Sequence, residues 1–141
     1  MKKLLLILTV IFISNSISAQ TAMPSSEGNA KVYFLRSDGF PPVLATYNVF
    51  LDEALVCKVG NKRFSIHNVT PGSHVITSQI IGSKPGKKAD RDKKEMEAGK
   101  TYYIQLHYKH GIFSNKLKTK EISEEAAKKI MAISKENKNC K

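Results

Sequence analysis

The sequence predicts an all-β fold, a single β-sandwich of about seven strands with a short C-terminal helix. Apolar residues recur with a period of two along most of the chain after residue 30, as expected for strands that bury one face. Turn-forming residues interrupt these stretches roughly every eight to twelve residues, a spacing typical of sandwiches. The length agrees, because 141 residues suffice for one hydrophobic core and are few for two domains.

The first 19 residues predict a cleavable secretory signal peptide. Lys2 and Lys3 precede an apolar stretch from Leu4 to Ile13, and this order is that of a signal peptide. The stretch is shorter than the roughly 20 residues of a membrane-spanning helix, so an uncleaved anchor is the weaker alternative. Cleavage after the small residue Ala19 leaves 122 of the 141 residues. We therefore expect a periplasmic or secreted protein whose mature chain has no transmembrane span.

The mature chain divides into three segments. Residues 20–29 predict a flexible polar lead-in, residues 30–122 the sandwich, and residues 123–141 a helix followed by a polar tail. The predicted strands are residues 31–36, 46–52, 55–59, 63–69, 74–81, 94–97, 101–108 and 116–122. The second and third strands predict a β-hairpin, and together with the fourth a meander.

For several strands the sequence predicts which side chains share a face. Tyr47, Val49 and Leu51 share one face of their strand, and Phe64 and Ile66 share one side of theirs. In the strand 101–108 the core face is predicted to carry Tyr102, Ile104, Leu106 and Tyr108.

The end of the chain has its own pattern. Lysines alternate along residues 116–122, which suits an edge strand because the charges discourage pairing with other chains. Ser123 is a candidate N-cap for a helix over residues 124–134. Its apolar stripe, which includes Ala126, Ile130 and Ile133, is predicted to pack on the sheet. The residues after it, 136–141, are expected to fray.

Four segments in order resemble a known exported bacterial family. They are VYFLR (residues 32–36), YNVFLDE (47–53), VTPGSHVI (69–76) and EAGKTYYIQL (97–106). Their order and spacing are similar to those of the family catalogued as domain of unknown function 2846. The resemblance implies a prealbumin-like β-sandwich, related to carboxypeptidase regulatory-like domains, and it implies no activity or site residue. Many relatives are lipoproteins, whereas this sequence has no lipid-acceptor cysteine at the predicted cleavage site.

The charge balance predicts an anionic partner. Lysine and arginine number 23 against 12 acidic residues, and removing Lys2 and Lys3 with the leader lowers the formal charge from +11 to +9. Such a surplus attracts anions. Because an exported protein rarely meets nucleic acid, we expect an envelope protein or an anionic envelope polymer instead. The alternative is that the lysines serve only solubility.

Positive charge is densest in residues 84–94, within a predicted exposed loop. The candidate anion-binding residues are Lys84, Lys87, Lys88 and Arg91. The loop lacks the spacing of a phosphate-binding P-loop. Binding of single-stranded nucleic acid usually requires aromatic residues among the basic ones, and no aromatic residue alternates with these lysines. We therefore expect a solvated loop, and the alternative is that it binds an anionic lipid headgroup or a glycan.

Cys57 and Cys140 are the two cysteines of the sequence. Export would carry both into a compartment where disulfides form. A bridge would require the polar tail to fold back along the domain, since Cys57 lies in a predicted strand and bridged Cα atoms are usually within about 7 Å. We expect a buried free thiol at Cys57 and a loose Cys140, with the bridge as the alternative.

The histidines and serines do not form a recognisable catalytic pattern. There is no nucleophile elbow. A metal-dependent binder or enzyme would have to use His107 with His110, or His67 with His74. Residues three apart in a strand face opposite sides, so we expect exposed or capping imidazoles, and for His74, which follows the Pro-Gly turn, a packing or hydrogen-bonding role. The sequence thus predicts a non-enzymatic module without metal or cofactor.

Overall fold

The computed structural model describes residues 28–37, 46–80, 91–109, 116–138 and 140. Within these ranges the chain forms nine strands and one helix, so the all-β class is confirmed. Each of the eight predicted segments forms a strand, and the last strand, which follows the helix, is additional. The elements are β1 (Ala30–Arg36), β2 (Tyr47–Leu51), β3 (Ala54–Val59), β4 (Arg63–Val69), β5 (Gly72–Ile80), β6 (Arg91–Met96), β7 (Thr101–Lys109), β8 (Lys116–Glu121), α1 (Glu124–Ala132) and β9 (Lys135–Glu136).

The strands form two sheets that enclose one apolar core. The five-stranded sheet has the order β8-β7-β1-β4-β9, and the four-stranded sheet has the order β3-β2-β5-β6. β1 runs parallel to β7, and β4 runs parallel to β9, whereas the other neighbours are antiparallel. Core side chains from both sheets include Val32, Phe34, Tyr47, Val49, Val59, Ile76, Ile104 and Leu106. No helix within the described ranges is long and apolar enough to span a bilayer.

The predicted hairpin is confirmed, but the meander is wrong. β2 and β3 pair as expected. The turn at residues 60–62 then carries the chain to the other sheet, where β4 pairs with β1. Ser65 of β4 is fully buried, whereas Ile66 is 37% exposed. Phe64 and Ile66 therefore face away from the core, on the outer side of the five-stranded sheet.

Helix α1 covers part of that outer side. Ser123 is its N-cap as predicted, and the Ser123 side chain accepts a hydrogen bond from the backbone of Ala126. The helix contacts β1 and β7. Leu35 and Ala127 are both fully buried although neither belongs to the core between the sheets. Ile133, expected in the apolar stripe, is instead 61% exposed, and it is the C-cap residue that follows the last helical residue, Ala132.

Both open sides of the sandwich are closed by contacts between the sheets. On one side Lys94 of β6 forms an ion pair with Glu121 of β8, and Thr119 donates a hydrogen bond of 3.2 Å to Asp92. On the other side the chain after α1 returns to pair with β4 as β9. The prediction that the tail frays is therefore wrong for the described residues 136–138 and 140.

The two ends of the sandwich differ in the length of their connections. β1, β5 and β7 finish at one end, where residues 38–45, 81–90 and 110–115 link them to β2, β6 and β8. We call this the loop end. The short turns at residues 52–53, 70–71 and 97–100 lie toward the opposite end, where β1 begins.

Candidate functional site

Of the four candidate anion-binding residues, the structure describes Arg91 alone. Lys84, Lys87 and Lys88 lie outside the described residues. Arg91 is the first residue of β6, so the strand begins three residues earlier than predicted and the loop is correspondingly shorter. The exposed Arg91 guanidinium lies 3.5 Å from a carboxylate oxygen of Glu53.

Other cations lie at the loop end, whereas the Arg91 guanidinium reaches toward Glu53 in the β2–β3 turn. Lys109, the last residue of β7, is exposed. Arg63 and Lys135 are exposed partners in the register of β4 and β9. Their side chains therefore leave the same face at neighbouring positions, and like charges so placed repel each other. A bound anion would relieve this repulsion.

Asp52 and His74 form the pair that most resembles a catalytic dyad. His74 Nδ1 donates to Asp52 Oδ2 at 2.6 Å, and His74 Nε2 donates to the Thr70 carbonyl oxygen at 2.8 Å. Since a carboxylate and a carbonyl can only accept, both contacts are hydrogen bonds when the ring is protonated, the form that the raised pKa of His74 favours. In that form it has no lone pair left for a metal or for a substrate proton. The hydrogen-bonding role predicted for His74 is confirmed.

The dyad fixes a strained turn. Asp52 and Glu53 have φ values of 48° and 69°, the left-handed region that a two-residue hairpin loop of this kind requires at both positions. The backbone N–H of Val75 donates to Asp52 Oδ1 at 2.8 Å, and Asp52 N–H donates to the Val75 carbonyl at 2.9 Å. These bonds hold the hairpin against β5.

The electrostatics of the dyad give it a pH dependence. Burial by itself lowers the pKa of His74, but the hydrogen bonds to Asp52 and Thr70 and the charges of Asp52 and Glu95 outweigh burial and raise it. The backbone hydrogen bond from Val75, followed by the bond from His74, lowers the pKa of Asp52. A histidine with a raised pKa stabilises the fold below its unfolded pKa of 6.5. This contribution is lost as the pH rises through the folded pKa.

Asp52→Asn should remove this pH dependence. Asparagine keeps one oxygen as the acceptor for Val75 N–H and tolerates a positive φ. Its amide nitrogen replaces the oxygen that accepts from His74, so the charge and this hydrogen bond are lost together. We expect a fall in the His74 pKa in an NMR titration and a loss of about 1 kcal/mol in unfolding free energy at pH 6, shrinking at higher pH. Glu97→Gln, which removes an exposed carboxylate elsewhere, is the control and should leave the His74 titration unchanged. A His74 pKa that is the same in Asp52→Asn and the parent chain would contradict the interpretation.

Two histidine pairs are the predicted alternative for a metal site. His67 and His74 do not share a metal-ligating group among the described residues. His110 lies outside the described residues, so its proposed partnership with His107 is also outside them. His67 is on the core side of β4, where its ring packs 5.6 Å from that of Phe34 and its Nε2 lies 3.0 Å from Ser65 Oγ. Burial lowers the pKa of His67, which favours a neutral ring.

Cys57 and Cys140 form a disulfide, so the expectation of two free cysteines is wrong. Cys57 on β3 is 1% exposed, and Cys140 packs against the core beside it. One ring nitrogen of His67 and the two sulfurs all lie within 4.8 Å of one another. We call these three residues the sulfur–histidine cluster.

The tail returns because its backbone and one side chain bind the turn between β3 and β4. Lys135 N–H donates to the Lys62 carbonyl at 2.9 Å, and Asn137 N–H donates to the Phe64 carbonyl at 2.7 Å. The Asn137 side-chain amide donates to the Lys58 carbonyl at 2.8 Å and lies 3.6 Å from Cys57 Sγ. These bonds place the tail where Cys140 meets Cys57.

Residues 26–119 match the family described as "Protein of unknown function (DUF2846)". The chain belongs to this family. The match confirms the resemblance carried by the four ordered segments, and it spans the DUF2846 domain from before β1 into β8. No curated protein matches the chain. Cys57, His67 and the dyad lie within the DUF2846 match, whereas Cys140 lies beyond it.

The sulfur–histidine cluster of this DUF2846 protein was missed by sequence reasoning. Alternation in β3 and β4 places Cys57 in line with the buried Val59, and His67 in line with the buried Ser65 and Val69. This spacing of two residues from buried neighbours indicates that both side chains point inward. Nothing in the local pattern of residues 135–140 indicates that this segment adds to a sheet.

Proposed function

We propose that this DUF2846 protein is an exported, non-enzymatic module that binds an anionic component of the cell envelope through the loop end. The observation that carries the proposal is the unbalanced positive charge. The sequence has 23 basic and 12 acidic residues, and five of the described acidic residues already pair with a lysine or arginine. These pairs are Arg91–Glu53, Lys94–Glu121, Lys100–Glu97, Lys128–Glu124 and Lys129–Glu125.

The position of the basic residues favours the loop end. Lys84, Lys87 and Lys88 belong to one of the three connections that join strands there. Exposed Arg63, Lys109 and Lys135 occupy the same end, as do the strand termini that flank those connections. Clustered charge of one sign raises the local concentration of anions and speeds their association.

The state of His74 supports a role without catalysis. Asp52 and His74 are the described pair with the geometry of an acid–base dyad, and the second ring nitrogen is bound to the Thr70 carbonyl. A general base needs an unprotonated nitrogen within reach of the substrate proton. The dyad therefore supports the fold rather than a reaction.

The disulfide supports export to the periplasm or the medium. Disulfides persist in oxidising compartments and are rare in the reducing cytosol. The bond between Cys57 and Cys140 accordingly agrees with the predicted signal peptide at residues 1–19. Phospholipid headgroups and acidic envelope polymers are the anions that such a compartment offers, whereas nucleic acid is rarely present.

Charge reversal in the loop should strongly weaken binding to anionic vesicles. The parent chain, isolated from cells that express the full sequence, is tested against phosphatidylglycerol-containing and phosphatidylcholine vesicles. We expect retention only on the former, and a loss of about 100-fold in affinity for the triple variant Lys84→Glu, Lys87→Glu and Lys88→Glu, since each lysine near an anionic surface contributes about 1 kcal/mol.

The matched control reverses three exposed lysines away from that loop. Lys31→Glu, Lys100→Glu and Lys120→Glu produce the same change in net charge away from the loop end. The variant that combines these three changes should lose less than about tenfold in affinity, against about 100-fold for the loop variant. Equal losses in the two triple variants would mean that net charge alone governs retention, and no retention of the parent chain would remove lipid headgroups as the partner. Crosslinking in intact cells to envelope material would then have to yield an acidic polymer or an acidic protein surface, and a basic or neutral product would overturn the proposal.

A further inference from the structure

We infer that Cys57, His67 and Cys140 form, in the reduced protein, a binding site for a thiophilic d10 metal ion, Zn²⁺ or Cu⁺. The two sulfurs and one imidazole nitrogen lie within 4.8 Å of one another. Two sulfurs bound to one zinc ion at about 2.3 Å each are less than about 4.6 Å apart, so small side-chain movements suffice. Thiolate with imidazole is a ligand set that these ions favour.

The site persists without the covalent bond because other contacts hold the tail. The backbone of Lys135 and Asn137 is hydrogen-bonded to the β3–β4 turn, and the Asn137 amide is bonded to the Lys58 carbonyl. Cys140 follows three residues later, with its Sγ 3.2 Å from the Asn137 carbonyl oxygen. Breaking the disulfide therefore leaves Cys140 close to Cys57.

The groups around the two sulfurs suit a bound metal ion as well as a disulfide. Cys57 is 1% exposed, so water has little access to it. The Asn137 amide, 3.6 Å from Cys57 Sγ, can donate a hydrogen bond to a thiolate. Ser65 Oγ, 3.0 Å from His67 Nε2, provides the outer hydrogen bond that typically orients a ligating histidine when the metal binds the other nitrogen.

The oxidised and metal-bound states exclude each other. A dithiol reductant converts the disulfide into two thiols and is itself oxidised to a disulfide, which accounts for both electrons and both hydrogens. Metal binding then releases the two thiol protons to solvent. Sulfurs that share a metal ion are no longer free to reform the bond, so the ion protects them from oxidation.

The test compares the reduced and oxidised full chain. Protein reduced with dithiothreitol and desalted anaerobically is titrated with Zn²⁺ and, separately, with Cu⁺ against a competing chelator of known affinity. We expect one ion for each reduced chain and none at this site for the oxidised chain. Metal should also slow the alkylation of both thiols at least tenfold. Binding of one ion but not the other identifies the metal.

Variants separate a built site from unspecific thiol binding. His67→Ala should weaken metal binding at least tenfold, and His67→Gln, which keeps much of the side-chain volume, should do the same with cooperative unfolding retained. His107→Ala is the matched control and should bind like the parent. Equal affinity in the parent and both His67 variants, half an ion for each chain, or equal metal content in the oxidised and reduced proteins would overturn the inference.

Discussion

Cys140→Ser should lower the free energy of unfolding by about 2–5 kcal/mol. The disulfide joins residues 83 positions apart. Closing so long a loop removes much of the conformational entropy of the unfolded chain, and the polymer estimate for this length is about 4–5 kcal/mol. The tail also closes one side of the sandwich. Chemical denaturation followed by circular dichroism measures the effect.

Cys140 is the appropriate residue to replace because Cys57 is fully packed in the core and its substitution would add a packing loss. The control is the parent chain unfolded in the presence of dithiothreitol and a metal chelator. It should lose about as much stability as the variant, and the reductant should leave the variant unchanged. A loss below about 0.5 kcal/mol would mean that the tail's hydrogen bonds alone maintain the closed side.

Leu35→Ala should destabilise the protein by about 2–5 kcal/mol, as expected for the truncation of a fully buried leucine. Leu35 is on the outer side of β1, where strand alternation alone would leave it in solvent, yet its exposure is 0%. The burial arises because α1 packs against this side of β1 and β7. Equilibrium unfolding should show the loss, and hydrogen exchange in α1 should become faster.

Ile66→Ala is the matched control for Leu35. Ile66 lies on the same outer side, on neighbouring β4, but is 37% exposed. Its truncation should cost about 1 kcal/mol or less. Similar losses in the two variants would show that the helix does not create a second apolar layer over β1.

The sequence predicts the strands well because alternation is a local property. The inward positions of Tyr102, Ile104 and Leu106 follow from their spacing by two, and all three are buried. Ser123 likewise caps its helix through a contact three residues away. Such interactions involve residues that are close in the chain, so composition and spacing reveal them.

The errors concern contacts between distant parts of the chain. Which sheet receives β4 depends on its pairing with β1, whose partner residues lie 29 to 39 positions earlier. The short turn before β4 looks the same in a meander. β9 is two residues long and consists of Lys135 and Glu136, both poor strand formers. Its pairing is imposed by the tertiary structure, and the disulfide depends on that pairing.

The candidate site was only partly predictable for the same reason. Lysine density in residues 84–94 is visible in composition, whereas the proximity of Arg63 and Lys135 requires the register of β4 and β9. The position of His74 directly after the Pro-Gly turn indicates a structural role, but its partner Asp52 is 22 residues away in the sequence. The sulfur–histidine cluster combines three segments, and no periodicity links them.

The amino-terminal end of β1 lies at one particular end of the sandwich. β1 begins beside Val69 and Thr101, and Lys31 N–H is bonded to the Lys100 carbonyl at 2.8 Å, so residue 28 leaves the sandwich at the end opposite the loop end. A tether attached through the amino terminus would thus point the long connections outward. A fusion partner placed there would leave them accessible, whereas one fused after Cys140 would emerge beside the closed side of the sheets.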